Sequence, residues 1–144
     1  MTSPEIAIYW DSSAILARLF GDVHGARASA YVQTTARHVV SSLAWAECAA
    51  AIARSQRSAA LAAPNAELAL RAISSSPWIA IADGPAPATL RALAVRYPLC
   101  GADLWHLALA VDLAEQIPEL RLLTFDTALS AAAHAEGLAV HEPA

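Results

Sequence analysis

An unbroken apolar segment, Ile6–Trp10, ends directly on a carboxylate, Asp11, and this junction constrains the fold of the chain most strongly. A short apolar run of this kind is typical of a strand that is buried on both faces. The same order returns near the C-terminus, where "LRLLTFD" ends on Asp126. Functional groups in open α/β sheets gather outside the carboxyl ends of the strands. The sequence therefore predicts that Asp11 and Asp126 stand at the same edge of a sheet.

Helix-like segments alternate with strand-like segments along the rest of the chain. Gly21 and Gly137 each follow a helical segment, and we expect Ser12 or Ser13 to cap the first helix. Alternation at this spacing indicates parallel strands with helices on both faces, so the predicted fold is a three-layer α/β/α arrangement around a mostly parallel sheet of four to five strands. The segments are helices over residues 25–36, 43–58, 64–77, 101–118 and 127–137 and strands in "HVVSS", "WIAIAD" and "LAVHE".

Length and hydropathy together predict a single domain, residues 1–144, that does not cross a membrane. The hydrophobic content of 57% and mean hydropathy of +0.42 are high for a water-soluble chain. However, the longest uncharged run, 72–82, contains serines and Pro77, whereas a spanning helix needs about 20 mostly apolar residues. The N-terminus does not resemble a secretory signal, so we expect a cytoplasmic protein.

The basic residues exclude several kinds of chemistry. All nine of them are arginines, and the absence of lysine excludes a P-loop nucleotide site or a Schiff base. The chain has a net charge of -4 and therefore lacks the positive electrostatic field of a nonspecific nucleic-acid binder. Any nucleic-acid contact must be local, through arginine and metal. Arg18 and Arg54 are the candidates for contacts to RNA phosphates, and a solvated helix face is the alternative for both.

Glu47 and Asp103 lie near the starts of predicted helices. Asp103 alone has a structural explanation as a favourable charge at a helix N-terminus, and Asp126 has one as a helix cap. Glu47 lies among apolar residues, where a lone carboxylate is costly to desolvate and needs a partner. Four carboxylates at one rim repel each other unless a cation neutralises them. Oxygen ligands of this kind suit Mg²⁺ or Mn²⁺.

Four blocks of the sequence resemble, in order, those of the PIN domain, in particular the VapC-type toxins of bacterial toxin–antitoxin pairs. The resemblance extends from about residue 6 to residue 140 and is weakest between residues 55 and 99. Each block carries an acid at the expected end of an element. The blocks are "YWDSSAIL", "SSLAWAECAAAIAR", "GADLWHLALA" and "LLTFDTALSAAAHAEGLAV".

This resemblance implies a PIN-like fold and a metal-dependent endoribonuclease that acts as a toxin. It implies that Mg²⁺ or Mn²⁺ activates a water for attack on the phosphodiester. The implied partners are an RNA substrate, a cognate antitoxin and a second copy of the chain, with larger toxin–antitoxin assemblies as a further possibility. The implied catalytic and metal-binding residues are Asp11, Glu47, Asp103 and Asp126, with a hydroxyl from Ser12 or Thr124 positioning a metal-bound water.

Three further side chains near the acids have two interpretations each. Trp10 and Trp105 either fill the core or stack on an extruded base, and we favour the core. His106 is either a structural hydrogen-bonding residue, which we favour, or a general base. A zinc site through Cys48, Cys100 and His106 is conceivable, although the spacing matches no common zinc pattern.

Two other functions remain as alternatives. The first is a catalytically silent PIN-type module that binds RNA or protein without cleavage. The second is a phosphatase with Asp11 as its nucleophile. That arrangement needs a second aspartate two residues on, where this chain has Ser13, and a lysine, which is absent.

Overall fold

The structure is a computed structural model that describes residues 6–75 and 77–141. Four strands alternate with seven helices in these ranges. In chain order the elements are β1 (Ile6–Trp10), α1 (Ser12–Phe20), α2 (Gly25–Val32), β2 (Ala36–Ser41), α3 (Ser42–Arg57), α4 (Ala63–Ile73), β3 (Trp78–Ile81), α5 (Pro87–Arg96), α6 (Gly101–Gln116), β4 (Leu120–Leu123) and α7 (Thr127–Ala135).

The strands form one all-parallel sheet in the order β3-β2-β1-β4. The predicted three-layer α/β fold is therefore confirmed, with four strands in the described part of the chain. In the register of this sheet, Trp10 of β1 lies opposite Val40 of β2 and Leu123 of β4. The residues that follow, Asp11, Ser41 and Thr124, consequently come to the same edge.

Both faces of the sheet are covered, because alternate residues of β1 point into two different cores. Ile8 and Trp10 pack with residues of α1 to α4. Ala7 and Tyr9 pack with residues of α5, α6 and α7. Trp10 is fully buried, and its indole Nε1 donates to Nδ1 of His38 at 3.0 Å. Trp10 is thus a core residue, as favoured from the sequence.

Side chains at the carboxyl edge also begin the helices that leave it. Asp11 caps α1 by accepting from the Ala14 amide, and Ser41 caps α3 in the same way. The predicted cap at Ser12 or Ser13 is wrong, because Asp11 already occupies the cap position and both serines are helical. Gly21, at a φ of 59°, ends α1 in the left-handed conformation, which favours glycine.

Most predicted element boundaries differ from the structure by one to three residues, and three elements differ more. Helix α2 ends at Val32 instead of residue 36, because Ala36 already belongs to β2. Helix α4 ends at Ile73, where the Ser74 and Ser75 hydroxyls donate to backbone carbonyls of the last turn and compete with its continuation. The predicted strand "LAVHE" is reduced to one parallel bridge between Leu122 and Ala139, and Glu142 lies outside the described residues.

No helix within the described ranges is long and apolar enough to cross a membrane.

Candidate functional site

Asp11 lies at the centre of the carboxyl edge and is almost completely buried, with 3% of its surface exposed. Its Oδ1 accepts hydrogen bonds from the Ser13 hydroxyl at 2.7 Å and the Ala14 amide at 2.9 Å, and its Oδ2 accepts from the Thr124 hydroxyl at 2.5 Å. Burial raises the pKa of Asp11, and these hydrogen bonds oppose the rise. Asp11 is therefore a rigidly oriented carboxylate in a costly environment.

Ser13 and Thr124 together join the start of α1 to the turn after β4. The Ser13 hydroxyl accepts from the Phe125 amide at 2.9 Å, and the Thr124 hydroxyl accepts from the Asp126 amide at 3.1 Å. The two hydroxyl oxygens lie 3.3 Å apart. Sequence analysis named Thr124 but chose Ser12 instead of Ser13. The cap role of Asp11 is the signal that identifies Ser13, because a capping carboxylate faces the residues two and three positions along.

Glu47 reaches the same region from the second turn of α3, and its partner is His106 of α6. The Nε2 atom of His106 lies 2.5 Å from Oε1 of Glu47, and Nδ1 lies 2.6 Å from the Tyr9 hydroxyl. His106 is 1% exposed, whereas the Glu47 side chain is 32% exposed. The partner that the sequence required for Glu47 is thus a buried histidine.

Asp11 and Glu47 share neighbours, and this indicates that they belong to one site. Both carboxylates raise the pKa of the Tyr9 phenol, although burial is the larger cause. Both also contribute to the raised pKa of the Cys48 thiol, about 12, for which burial is again the main cause. Tyr9 and Cys48 therefore lie in the field of two carboxylates.

Asp103 and Asp126 stand at the rim of this site. Asp103 is half-buried in the first turn of α6, one turn before His106. Asp126 is exposed and caps α7, with its Oδ1 accepting from the Leu129 amide at 2.8 Å. In residues 6–75 and 77–141, no three His, Cys, Asp or Glu side chains are gathered closely enough to hold a metal ion. This finding also speaks against the conceivable zinc set.

The residues at the centre fit a hard divalent cation by their chemistry. Mg²⁺ commonly binds one or two protein carboxylates and takes its other ligands from water and substrate phosphates. Asp11 and Glu47 are two such carboxylates, and a carboxylate offers about four acceptor positions in total. Three are used on Asp11, and His106 occupies one on Glu47. Acceptor capacity for a cation therefore remains on both residues.

An apolar cavity of about 350 Å³ opens at the ends of β2 and β3 and the start of α3. Ser41, Ser42, Ile81 and the indole of Trp45 are among the residues that line it. The Trp45 Nε1 donates to the Ser74 hydroxyl at 3.2 Å, which fixes the orientation of the ring. Sequence analysis considered tryptophans at other positions and missed this one, although it lies two residues before Glu47.

The two candidate arginines are both exposed. Arg18 lies on the last turn of α1 and Arg54 on the last turns of α3. Neither guanidinium group forms a hydrogen bond or ion pair with another residue in the part of the chain that the structure describes. Their guanidinium groups are available to solvent or to a phosphate.

Comparison with known proteins gives one family and two similar folds. The PIN domain family profile matches residues 8–135. The crystal structure of PAE2754 from Pyrobaculum aerophilum is similar with a TM-score of 0.64 and 21% identity, over 88% of this chain and 79% of that one. Mycobacterium tuberculosis VapC20, a toxin that cleaves the sarcin-ricin loop, is similar with a TM-score of 0.62 and 16% identity, over 87% of this chain and 94% of that one. No curated protein sequence matched.

Proposed function

The chain belongs to the PIN-domain family, and from this premise we propose that it is a Mg²⁺- or Mn²⁺-dependent endoribonuclease that acts in the cytoplasm as a toxin. The observation that carries the proposal is the buried Asp11, oriented from both of its oxygens, together with Glu47, a second carboxylate that acts on the same neighbours, Tyr9 and Cys48. A buried carboxylate with a raised pKa at the edge of a sheet is costly for stability, and such costs concentrate at functional sites.

In this mechanism the protein supplies orientation and charge. When bound, a divalent cation would supply activation of the attacking water and stabilisation of the leaving oxygen. Asp11 and Glu47 would hold the cation, while Ser13 and Thr124 keep the Asp11 carboxylate in place. Asp103 and Asp126 at the rim complete the proposed set of four acids and contribute negative charge or water-mediated ligands.

RNA would approach along the carboxyl edge. The cavity at the ends of β2 and β3 is apolar and has an indole in its wall, and unstacked bases of single-stranded RNA bind such surfaces by stacking on aromatic rings. Arg54, two turns after Glu47 on α3, is the candidate for a phosphate contact. Arg18 on α1 is the second candidate.

The direct test is cleavage of total cellular RNA by the purified protein. We expect discrete fragments with Mg²⁺ or Mn²⁺ and none with EDTA or with the Asp11→Asn variant, which removes the charge and keeps the shape of the side chain. Sequencing of the fragment ends identifies the target. Intact RNA from a folded, metal-loaded protein would favour the alternative of a silent RNA- or protein-binding module, in which Asp11→Asn has no effect on RNA.

The proposed protein partners are a second copy of this chain and a cognate antitoxin. An apolar groove of about 400 Å³ between α1 and α4 is the candidate antitoxin site. Phe20 and Leu68 line this groove and remain 43% and 64% exposed. An antitoxin segment would cover them with its own apolar side chains. Light scattering over a wide concentration range tests the homodimer, and a monomer throughout would refute it.

A further inference from the structure

A chain of two hydrogen bonds leads from the core of the protein to the candidate centre. It begins at Tyr9 of β1, passes through His106 of α6 and ends at Glu47 of α3. The two bonds measure 2.6 Å and 2.5 Å between heavy atoms. Tyr9 is fully buried and His106 is 1% exposed, so the bond between them lies away from water, whereas the Glu47 side chain is 32% exposed. These three residues are called the relay below.

The two ring nitrogens of His106 have different partners. Nδ1 lies against the Tyr9 hydroxyl, and Nε2 lies against Oε1 of Glu47. An ionised carboxylate has no proton to donate, so the N–H of the second bond is on Nε2, which donates to Oε1 of Glu47.

The relay connects two layers of the fold. Helix α3 packs on one face of the sheet and α6 on the other. The bond from His106 to Glu47 crosses the carboxyl edge between these layers, beside Asp11. Fixing the end of a glutamate side chain costs considerable rotamer entropy, so a favourable bond is needed to hold it in one orientation. A buried histidine that is itself held by Tyr9 supplies a fixed donor for it.

We propose that Tyr9 and His106 are positioning residues that hold the Glu47 carboxylate in one orientation, with Oε1 bonded to His106 and Oε2 left for a divalent cation. The inference rests on the proposed function, because it takes Glu47 to be a cation ligand. The Nε2 donor orients the carboxylate and occupies one of its two oxygens. Groups that orient metal ligands in this way commonly change metal affinity or activity by about 10–100-fold when they are replaced.

The test measures Mn²⁺ binding to the full chain without RNA, by electron paramagnetic resonance. His106→Asn is too short to reach Glu47, whereas His106→Gln places an amide N–H near the position of Nε2. We expect Mn²⁺ affinity to fall about 10–100-fold in His106→Asn and to be largely restored in His106→Gln. Tyr9→Phe, which removes the hydroxyl that bonds to Nδ1, should give an intermediate loss. Thermal unfolding of each variant verifies that it is folded.

Two further measurements separate positioning from a purely structural role. In a Glu47→Gln background, His106→Asn should cause no additional loss of Mn²⁺ affinity, because the carboxylate that it orients is gone. The ¹⁵N spectrum of the His106 ring in the metal-free protein should show a proton on Nε2, as the bond to Glu47 requires.

Several outcomes would overturn the inference. These are wild-type Mn²⁺ affinity in folded His106→Asn, an equal loss in the Glu47→Gln background, an Nε2 atom without a proton, or a wild-type protein that binds no Mn²⁺. RNA cleavage is scored separately. Mn²⁺ affinities that follow the expected order, combined with no RNA cleavage by any form of the protein, would refute the proposed nuclease and support the relay.

Discussion

At the scale of single residues, the buried carboxylate of Asp11 is fixed in place and lowers the stability of the folded protein. Asp11 receives three hydrogen bonds, yet burial still raises its pKa. A carboxyl group whose pKa is raised by folding destabilises the native state at pH 7, because the unfolded chain ionises it more easily. The stability that a neutral Asp11 provides is present at low pH and is lost as the pH rises.

The first prediction concerns Asp11→Asn in EDTA. The amide is neutral and can keep the bonds to Ala14 and Ser13, while the Thr124 hydroxyl turns to accept from the new NH₂ group. We expect the midpoint of thermal unfolding at pH 7 to rise by about 2–4 °C, the effect of about 1 kcal/mol in a domain of this size. Added Mn²⁺ should then stabilise the wild-type protein and not the variant. Asp83→Asn, which removes an exposed acid, is the matched control, and an Asp11→Asn variant less stable than wild type would contradict the argument.

The second prediction concerns His38, which is 2% exposed and accepts from the Trp10 indole. Burial lowers the pKa of His38, so the unfolded chain binds a proton at a higher pH than the folded protein. The contribution of His38 to stability is therefore complete above its unfolded pKa of about 6.5 and declines as the pH falls below it. This contribution has a slope of at most about 1.4 kcal/mol per pH unit.

Urea unfolding at pH 7.5 and pH 5.5 measures this slope. His38→Asn keeps an acceptor near the Trp10 indole and removes the titrating ring, so its stability should vary less with pH than that of the wild type. His141→Asn replaces an exposed histidine and should retain the wild-type slope. Equal slopes in His38→Asn and wild type would show that other groups cause the pH dependence.

At the scale of elements, helix capping and site geometry depend on the same side chains. Asp11, Ser41 and Asp126 each cap a helix that starts at the carboxyl edge. Such a side chain is held by the first turn of its helix, so its position is fixed before any ligand binds. Capping therefore explains why acids occur at these element ends and also how two of them are oriented there.

The third prediction separates these two roles at Asp126. Asn caps a helix about as well as Asp, whereas loss of the cap to Ala costs about 0.5–2 kcal/mol. Asp126→Ala should therefore lower the free energy of unfolding by this amount, and Asp126→Asn should leave it nearly unchanged. If the charge of Asp126 contributes to the site, both variants lose RNA cleavage. Wild-type RNA cleavage by Asp126→Asn would show that Asp126 serves only to cap α7.

The fourth prediction concerns α5, whose own cap residue, Ala86, has no side chain that can accept. The Asp112 carboxylate of α6 takes the place of a capping side chain at the start of α5. It accepts from the Ala86 amide at 2.7 Å and the Thr89 hydroxyl at 2.6 Å. Asp112→Ala should cost about 1–3 kcal/mol, because these donors lose a charged acceptor. Hydrogen exchange should accelerate first at the start of α5. Asp112→Asn, which keeps one acceptor oxygen, should show a smaller effect, and unchanged exchange in Asp112→Ala would contradict the assignment.

At the scale of the whole molecule, the sequence predicted what depends on local pattern. The apolar segments and the acids that end them predicted the parallel sheet and the carboxyl edge at which Asp11 lies. The hydrogen-bond partners of Asp11 and Glu47 were harder to predict from the sequence. Ser13 follows only from the cap geometry, and His106 is 59 residues from Glu47, on a helix that packs against the opposite face.

The errors also have physical causes. The last predicted strand has a suitable composition, but pairing at the outer side of β4 amounts to one bridge, at Ala139. The end of α4 was placed too late because proline was taken as the boundary, whereas the hydroxyls of Ser74 and Ser75 end the helix earlier. Sequence periodicity reflects which side chains are buried. It does not show that serine hydroxyls compete with helical N–H groups for backbone carbonyls.

The last prediction concerns the groove between α1 and α4, which would be covered in a toxin–antitoxin complex. Leu68 is 64% exposed in the free protein, so Leu68→Asp should change the free energy of unfolding by no more than about 0.5 kcal/mol. In the proposed complex the same change buries an unpaired carboxylate against an apolar segment and should weaken antitoxin binding strongly. Val95→Asp, on α5 and 86% exposed, makes the same chemical change away from the groove. Titration calorimetry with the cognate antitoxin should therefore detect a loss for Leu68→Asp and none for Val95→Asp, and the reverse order would move the antitoxin site to α5.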